Sequence, residues 1–518
     1  MYLLHEQREQ QPQRRQRHYL SHRNSFHLSL GSLVSLLLVV AIAIMSPHDQ
    51  AVAEAFSAKA PPDNTSSSCY NRRRLDIRPT PTKTEGSSST NSFSFGLIAD
   101  VQWADTEDGQ NYAKTVKRCY RGSFQTLKRA VQYWKDYNKE HQLQQDKLQF
   151  VAQLGDLIDG INSKLGTSDR SLDLALKELD RLGEDNCPSV NLVGNHELYN
   201  YNRDELAKAK WLQNGDSEYY SFTPQKGWRV IVLDPYQLAV IGYDHNKEDP
   251  RRIYAVDWVC RENPNVSPNG EPGDWFVGID GYQRRFCPYN GGYGTKQLSW
   301  FDNELNEATL NQERVIILSH VIIHPKACGG GTMVWDYEDA LNIIYKYSDL
   351  TTSSTSTLAS SSTASDDDSV DGGNDNDDKN NVVVAVLCGH DHKGNYHKDE
   401  YGIHHCTFQS PLNKGTDGYA YGIMKVNNNE DDDYIEICGP KIDDLLPNVN
   451  DRPQAVITTE RSFTVGNTNE RLNEEYVRLP IRPIDFSAVS SSPAAAAAAT
   501  PHTVEEEVEA QQEAMAVS

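Results

Sequence analysis

Six short apolar segments of this chain each run directly into a polar motif, and this alternation constrains the fold more than any other feature. The segments are 93–99, 148–154, 190–193, 228–233, 314–319 and 382–388. Apolar residues between them recur at helical spacing, as in Phe124, Leu127, Val131 and Trp134. Alternating strands and helices predict a sheet core covered by helices, in which ligands collect beyond the carboxyl ends of the strands.

The polar motifs at these strand ends carry side chains that bind metals. The candidate ligands are Asp100, Gln102, Asp156, Asn195, His320, His390 and His392. Each motif alone is a common turn, but turn chemistry does not explain their joint occurrence at strand ends. Carboxylate, amide and imidazole groups without a thiolate suit Mn²⁺, with Fe, Co, Zn or Mg as competitors. A set this large suits two ions about 3.5–4 Å apart that share a carboxylate, and Asp156 is the natural bridge.

Composition indicates that much of the chain lies outside this core. Only 38% of the 518 residues are hydrophobic, which favours one sizeable domain with disordered additions over three domains. We predict a globular domain over 92–480, a disordered low-complexity insertion at 351–381, and a disordered Ala/Glu-rich tail at 481–518. The formal net charge of −23 counts against a nucleic-acid partner.

The N-terminus has the order of a secretory signal. Basic residues precede an apolar run at 28–45, and small residues follow at 51–55. We therefore predict a signal peptide or an uncleaved signal anchor over 1–55, which is the only predicted membrane contact. The segment 56–91 is Ser/Thr-rich and poor in acidic residues, as in a linker or an organelle transit segment. The expected route is ER entry, with a plastid destination through a two-part presequence as an alternative.

The nine cysteines include no C-x-x-C pair, so the sequence predicts neither a zinc ribbon nor a thioredoxin-type redox site. Cys260 and Cys287 flank a loop rich in Pro, Gly and Asn. They are predicted either to form a disulfide in an oxidising compartment or to remain free thiols.

Five motifs in order resemble those of the calcineurin-like metallophosphoesterases. They are Asp-x-Gln (100–102), Gly-Asp-x-x-Asp-Gly (155–160), Gly-Asn-His-Glu (194–197), Ser-His (319–320) and Gly-His-Asp-His (389–392). Most of that superfamily has His two residues after the first Asp, where this chain has Gln102. This Gln with its flanks, the Asn290-Gly-Gly-Tyr293 segment and the segment 335–340 are similar to the branch of manganese-dependent ADP-ribose/CDP-alcohol diphosphatases.

The resemblance implies an α/β fold, a four-layer metallophosphoesterase sandwich of two packed mixed sheets flanked by helices. It implies that one metal takes Asp100, Gln102, Asp156 and His392, and the second takes Asp156, Asn195, His320 and His390. His196 would act as proton donor or electrostatic stabiliser at the leaving oxygen. Asp159 and Glu197 would orient ligands without binding metal, or would cap the helices that follow them.

The expected activity is cleavage of the diphosphate bond of ADP-ribose or CDP-alcohols by in-line attack of a metal-bridging hydroxide. Alternatives are a metallophosphoesterase acting on phosphomonoesters or cyclic nucleotides, and a binding module without turnover. A nucleotide diphosphate substrate needs cations for the phosphate that does not react and an aromatic face for the base. The candidates are Arg118, Arg121 and Arg203 for the phosphate, and Tyr112 and Trp335 for the base; each is also explained as a surface or core residue.

Overall fold

The structure of the protein is a computed structural model. It describes residues 92–481 apart from 112, 142, 144–145, 213–217, 269–272, 349–380, 430–431, 448–456 and 466–467. The predicted signal or anchor, the segment 56–91, almost all of the insertion and all but the first residue of the tail lie outside this part of the chain. Among the described residues, no helix has the length and apolar character needed to cross a bilayer.

The strands of the described part are short, and most belong to two sheets. They are β1 (Phe93–Ile98), β2 (Gly109–Gln110), β3 (Lys117–Arg118), β4 (Leu148–Gln153), β5 (Ser189–Asn191), β6 (Tyr220–Phe222), β7 (Trp228–Val232), β8 (Leu238–Ala239), β9 (Gly291–Gly292), β10 (Arg314–Ser319), β11 (Val383–Cys388), β12 (Asn395–Lys398), β13 (His404–Thr407), β14 (Gly422–Asn429), β15 (Asp432–Gly439), β16 (Ile457–Val465) and β17 (Thr468–Pro480).

Helices connect and cover these strands. They are α1 (Tyr120–Glu140), α2 (Ile161–Leu165), α3 (Ser168–Asp180), α4 (Asn195–Asn200), α5 (Arg203–Leu206), α6 (Pro250–Glu262), α7 (Gly294–Leu310), α8 (Tyr337–Lys346) and α9 (Ile442–Leu445).

Each of the two large sheets contains a block of adjacent parallel strands. The first sheet has the order β16-β17-β15-β14-β1-β4-β5, and the second has the order β12-β13-β11-β10-β7-β6. In the first, β1, β4 and β5 are parallel; in the second, β7, β10, β11 and β13 are parallel. Antiparallel strands complete both sheets. The sheets are therefore mixed, and the polar motifs follow the carboxyl ends of the parallel strands.

Three apolar clusters define the four layers. The cluster between the sheets includes Phe95 and Phe150 from the first sheet and Val230 and Ile316 from the second. A second cluster packs α1 and α3 on the outer face of the first sheet, where Trp134 is fully buried. A third packs α7 and α8 on the outer face of the second sheet. This arrangement buries both faces of the parallel strands, which explains why those strands read as mainly apolar runs.

The six predicted strands and the predicted helices are present with boundaries shifted by a few residues. The predicted segment 314–319 coincides with β10, and the segment 382–388 begins one residue before β11. The helical pattern around Leu127 lies in α1, which is longer than the pattern itself. Cys260 and Cys287 are free thiols, so of the two alternatives the structure has the unpaired one.

The residues on either side of the insertion lie next to each other. The N–H of Val382 donates to the carbonyl oxygen of Tyr347 at 3.3 Å, so the two ends of the segment are held together. Asn381, which the sequence assigned to the insertion, is buried at 4% exposure. The insertion therefore ends one residue earlier than predicted.

Because its ends already meet, replacing 351–380 by a short Gly/Ser linker is expected to leave turnover within a few-fold. The cost of closing a flexible loop grows only logarithmically with its length. Steady-state turnover and a thermal melt of the shortened protein would measure the effect. Loss of soluble folded protein would instead show that the segment contributes to the fold.

Candidate metal centre

Four of the predicted ligands have backbone conformations that residues other than glycine rarely adopt. Asp100, Gln102, Asp156 and His390 have φ values of 50°, 44°, 58° and 68°. Left-handed geometry costs about 1–3 kcal/mol at such a residue and persists only where the surroundings enforce it. All four follow parallel strands directly or within a few residues, so the strained turns aim these side chains at one point between the two sheets.

The first group of converging ligand atoms belongs to Asp156, His320 and His390. Nε2 of His320 lies 3.5 Å from Oδ2 of Asp156 and 3.2 Å from Nδ1 of His390. Asn195 joins them, with its Oδ1 at 3.4 Å from Nε2 of His320. The other ring nitrogen of His320 lies 2.7 Å from the carbonyl oxygen of Leu154, which fixes the ring so that Nε2 faces the site.

The second group consists of Asp100, Asp156 and His392. Nε2 of His392 lies 3.5 Å from Oδ1 of Asp100. Nε2 of Gln102 donates to Oδ2 of Asp156 at 2.8 Å and lies 2.9 Å from Nε2 of His392. Asp156 belongs to both groups, as a bridging carboxylate must.

Burial and neighbouring charges shift the pKa values of several of these side chains. Burial raises the pKa of Asp100 well above its usual range, although His320 opposes that shift. Burial would also raise the pKa of Asp156, but His320 and His196 hold it far below its usual range. Burial and the charge of Arg118 lower the pKa of His392 to about 3. The imidazole of His392 is therefore neutral at pH 7, which is the form that binds a metal.

The donors present fit a pair of divalent ions. Oε1 of Gln102 is buried and has no hydrogen-bond partner, so the site contains an oxygen in need of a cation. The surrounding backbone is closely packed: a Cβ atom at Gly389 would lie 2.5 Å from Oδ2 of Asp100. A Cβ atom at Gly155, where φ is 97°, would collide with the ring of His320. Only glycine allows the strand-end loops to bring these ligands together.

Glu197 holds the backbone around the bridging carboxylate. Its two carboxylate oxygens accept hydrogen bonds from the N–H groups of Asp156, Leu157 and Gly194, each at 2.8 Å. Burial and the charge of Asp156 raise the pKa of Glu197 to about 7. The two predicted roles of Glu197 therefore coincide, because one side chain both supports Asp156 and closes the first turn of α4.

His196 points at the site from the start of α4. Its Nδ1 accepts a hydrogen bond from the N–H of Gly160 at 2.8 Å, and its Nε2 lies 3.9 Å from Oδ2 of Asp156. An imidazole that accepts at Nδ1 carries its proton at Nε2 when neutral. Asp159 lies 3.4 Å from Nδ1 of His196 and receives a hydrogen bond from Arg118 at 3.3 Å. Asp159 thus contacts the acid–base candidate and shows no contact with a metal ligand.

Two residues near the predicted metal ligands had no predicted role. Oδ1 of Asn290 lies 2.7 Å from Nε2 of His390, and the hydroxyl of Tyr236 donates to Oδ1 of Asn195 at 3.4 Å. Asn290 lies in the Asn-Gly-Gly-Tyr segment that is part of the family resemblance. The sequence therefore singled out this residue but did not predict its contact with His390. No sequence motif marks Tyr236.

The structure places the predicted substrate contacts in different surroundings. Arg118 lies beside the centre, with its side chain 23% exposed. Arg121 instead pairs with Asp105 and Glu107 at the exposed surface. Tyr112 lies outside the described residues.

The predictions for Arg203 and Trp335 as substrate contacts are wrong. The guanidinium of Arg203 is 1% exposed and lies 2.6 Å from Asp234 and 2.7 Å from Glu218, so it is a buried ion pair of the core. Trp335 is 1% exposed and packs with Trp258 in an apolar cluster. Neither side chain is open to a ligand.

Comparisons with known proteins show which family this chain resembles. The model of the calcineurin-like phosphoesterase family matches residues 93–394. A manganese-dependent ADP-ribose/CDP-alcohol diphosphatase of Arabidopsis thaliana is 34% identical over 65% of this chain and 92% of the relative. The human protein of the same name is 30% identical over 68% of this chain and 92% of the relative.

A solved structure shares the same fold. The crystal structure of a dimetal phosphatase from Danio rerio is 30% identical, covers 67% of this chain and 95% of its own, and gives a TM-score of 0.52. The predicted four-layer metallophosphoesterase sandwich is therefore confirmed, as is the prediction of a metal-dependent hydrolase. The chain belongs to the calcineurin-like phosphoesterase family.

Proposed function

We propose that this protein is a manganese-dependent diphosphatase that hydrolyses ADP-ribose, CDP-alcohols or both to two monophosphates. The observation that carries the proposal is Gln102, which stands where most of the superfamily has His and lies between Asp156 and His392. The diphosphatases named above support it, because the similarity extends over most of their length.

In this proposal one ion is held by Asp100, Gln102, Asp156 and His392, and the second by Asp156, Asn195, His320 and His390. When bound, the two ions supply an activated water as nucleophile and positive charge against the reacting phosphate. The protein contributes the fixed geometry of the strand-end turns and the neutral imidazole of His392.

His196 is the proton donor or the electrostatic stabiliser at the leaving phosphate oxygen in this proposal. The hydrogen bond from the N–H of Gly160 keeps Nδ1 as an acceptor, so the proton at Nε2 faces the centre. A phosphate leaving from a diphosphate departs more easily when its oxygen is protonated or hydrogen-bonded.

Arg118 is proposed to bind the phosphate that does not react. Its charge already acts on His392, and its partner Asp159 leaves part of the guanidinium open. Arg118→Ala is expected to lower kcat/KM for a diphosphate substrate by roughly 10–100-fold, the value of one or two charge-assisted hydrogen bonds. Arg121→Ala is the matched control, because that guanidinium is held by Asp105 and Glu107 away from the centre.

Steady-state kinetics of the two arginine variants would distinguish the loss of a substrate contact at Arg118 from a general effect of removing a positive charge. Equal losses in both would contradict the assignment of Arg118. An unchanged Arg118→Ala variant would show that the substrate finds its cationic contact elsewhere.

Mn²⁺ is expected to support turnover far better than Mg²⁺. Mg²⁺ demands near-ideal octahedral oxygen ligation, whereas the proposed ligands include three imidazole nitrogens. Rates of the chelator-stripped protein at saturating concentrations of each ion would measure the difference. Equal rates would count against the proposed ligands.

Product analysis tests the function itself. The manganese-loaded protein would be incubated with ADP-ribose, CDP-choline, a cyclic nucleotide and p-nitrophenyl phosphate, and the products separated by chromatography. The proposal predicts AMP with ribose phosphate, CMP with phosphocholine, or both pairs. Turnover confined to p-nitrophenyl phosphate or the cyclic nucleotide would favour the alternative phosphoesterase activity, and no turnover of any substrate would favour a binding module.

A further inference from the structure

A tyrosine with no role assigned so far lies on the same helix as His196. Tyr199 follows His196 by three residues in α4, so the two side chains lie on one face of the helix. Their rings meet edge to face, with centroids 5.2 Å apart. Tyr199 is therefore close to the oxygen on which His196 is proposed to act.

The ring of Tyr199 packs on the turn that orients His196. A Cβ atom at Gly160 would lie 2.8 Å from Cδ2 of Tyr199, so the backbone of Gly160 is in direct contact with the ring. The N–H of the same glycine donates to Nδ1 of His196 at 2.8 Å. One turn of the backbone therefore fixes both side chains of α4 relative to each other.

Tyr199 forms part of the wall of a cleft. The residue is 39% exposed, yet burial raises the pKa of its hydroxyl. A side chain that is both open to solvent and surrounded by protein lies on a concave surface. The charges of Asp156 and Arg118 both act on this hydroxyl. The hydroxyl therefore lies in the part of the cleft that holds the bridging carboxylate and the arginine proposed to bind phosphate.

The hydroxyl of Tyr199 has a hydrogen bond with the side chain of Asn195 that opposes the effect of burial on its pKa. A hydrogen bond has this effect on a phenol when the phenol oxygen accepts it. The amide of Asn195 is thus the donor, which agrees with its Oδ1 facing His320 at 3.4 Å. A hydroxyl that accepts one hydrogen bond can still donate its own hydrogen to another acceptor.

The other tyrosine that contacts Asn195 is in a different position. Tyr236 is 0% exposed, and its hydroxyl lies 3.4 Å from Oδ1 of Asn195 and 3.4 Å from the carbonyl oxygen of Tyr289. Tyr236 therefore supports Asn195 from inside the core, whereas Tyr199 contacts it from the open cleft.

We propose that the hydroxyl of Tyr199 donates a hydrogen bond to the leaving phosphate of the substrate, an inference that rests on the diphosphatase function proposed above. In that reaction a water oxygen forms a bond to one phosphorus, and the bond from this phosphorus to the bridging oxygen breaks. The bridging oxygen leaves on the second phosphate, and the two hydrogens of the water pass to the product phosphates or to solvent. A donor fixed beside His196 stabilises the negative charge that grows on this second phosphate.

Tyr199→Phe removes the hydroxyl and keeps the ring. We expect kcat/KM for ADP-ribose or CDP-choline to fall by roughly 10–100-fold, the value of one hydrogen bond to a charged group. The matched control is Tyr201→Phe, because the hydroxyl of Tyr201 donates to Asp169 at the exposed surface. This control should keep the wild-type kcat/KM.

A substrate without a second phosphate separates this contact from a structural role. In thymidine 5′-(p-nitrophenyl phosphate) the leaving group is p-nitrophenolate, a stable anion that departs without a hydrogen-bond donor. We expect Tyr199→Phe to keep kcat/KM for this ester within a few-fold, or its inhibition constant if the ester is not cleaved. Manganese content and the thermal midpoint of the full-length variant should equal those of the wild type.

Three results would overturn the inference while leaving the proposed function in place. They are an unchanged kcat/KM of Tyr199→Phe for the diphosphate substrates, an equal loss for the diphosphates and the ester, and a loss of manganese, which would mean that Tyr199 acts only by holding Asn195. Failure of the proposed function would be seen in the wild type itself, as an absence of diphosphate turnover, and would overturn both.

Discussion

Replacing Asp156 with alanine is expected to abolish turnover and to empty the dimetal centre. Asp156 is the one residue that belongs to both groups of converging ligand atoms at this centre. It also receives the N–H of His196 at 2.8 Å and the side chain of Gln102 at 2.8 Å. Two ions that depend on one carboxylate are both lost with it.

Metal analysis after loading with MnCl₂, together with steady-state kinetics, would measure this effect. Asp173→Ala is the control, because that carboxylate pairs with Lys177 at the exposed surface of α3. Full manganese occupancy in Asp156→Ala would show that the carboxylate does not bridge. Equal losses in Asp173→Ala would point to a general effect of removing charge.

Replacing His196 with alanine is expected to leave both metals bound while lowering kcat by roughly 10²–10⁴-fold, the typical contribution of one positioned acid–base group. The ring lies 3.9 Å from Asp156 through Nε2, but neither group of converging ligand atoms includes it. The change leaves the apolar strands untouched, so the fold is expected to persist.

His196→Gln separates the two contributions of the ring. Glutamine restores polarity and a hydrogen-bond donor but cannot transfer a proton as imidazole does. We expect it to remain slow, with normal metal content. A metal-depleted His196→Ala variant would make His196 a ligand, and a variant with the wild-type kcat would remove it from the chemical step.

The parallel strands and the polar residues after them could be predicted from the sequence because the two sheets bury both faces. β1, β4, β10 and β11 are mainly apolar and almost wholly buried. The proposed ligands follow directly, so their approximate meeting place needed only the rule for the carboxyl ends of parallel strands.

The antiparallel strands of the first sheet could not be predicted in the same way. β14 ends in Asn residues and β15 begins with Asp residues, so neither strand is an apolar run along its whole length. Helix α6 was also missed, because only Arg252, Ala255 and Val259 are buried along its 13 residues. Partial burial leaves a weak periodic signal.

The role of individual arginines was the least predictable part of the site. Arg203 is neutralised by Asp234 and Glu218, which are brought to it by tertiary structure and not by sequence spacing. Arg118 has the same side chain but only one carboxylate partner and remains partly open. The sequence shows which residues are charged. Whether a charged side chain can contact a ligand depends on whether it is already paired in the folded chain.

The distance along the chain between the proposed ligands sets the order in which the centre can be assembled. The N–H of His390 donates to the carboxylate of Asp100 across 290 positions of sequence. A chain synthesised from its N-terminus exposes Asp100, Gln102 and Asp156 long before any ligand from the Gly-His-Asp-His motif exists. In the proposed arrangement the full set of ligands exists only after the motif that follows β11 has been made, so complete metal loading would report that the strands from β1 to β11 are in place.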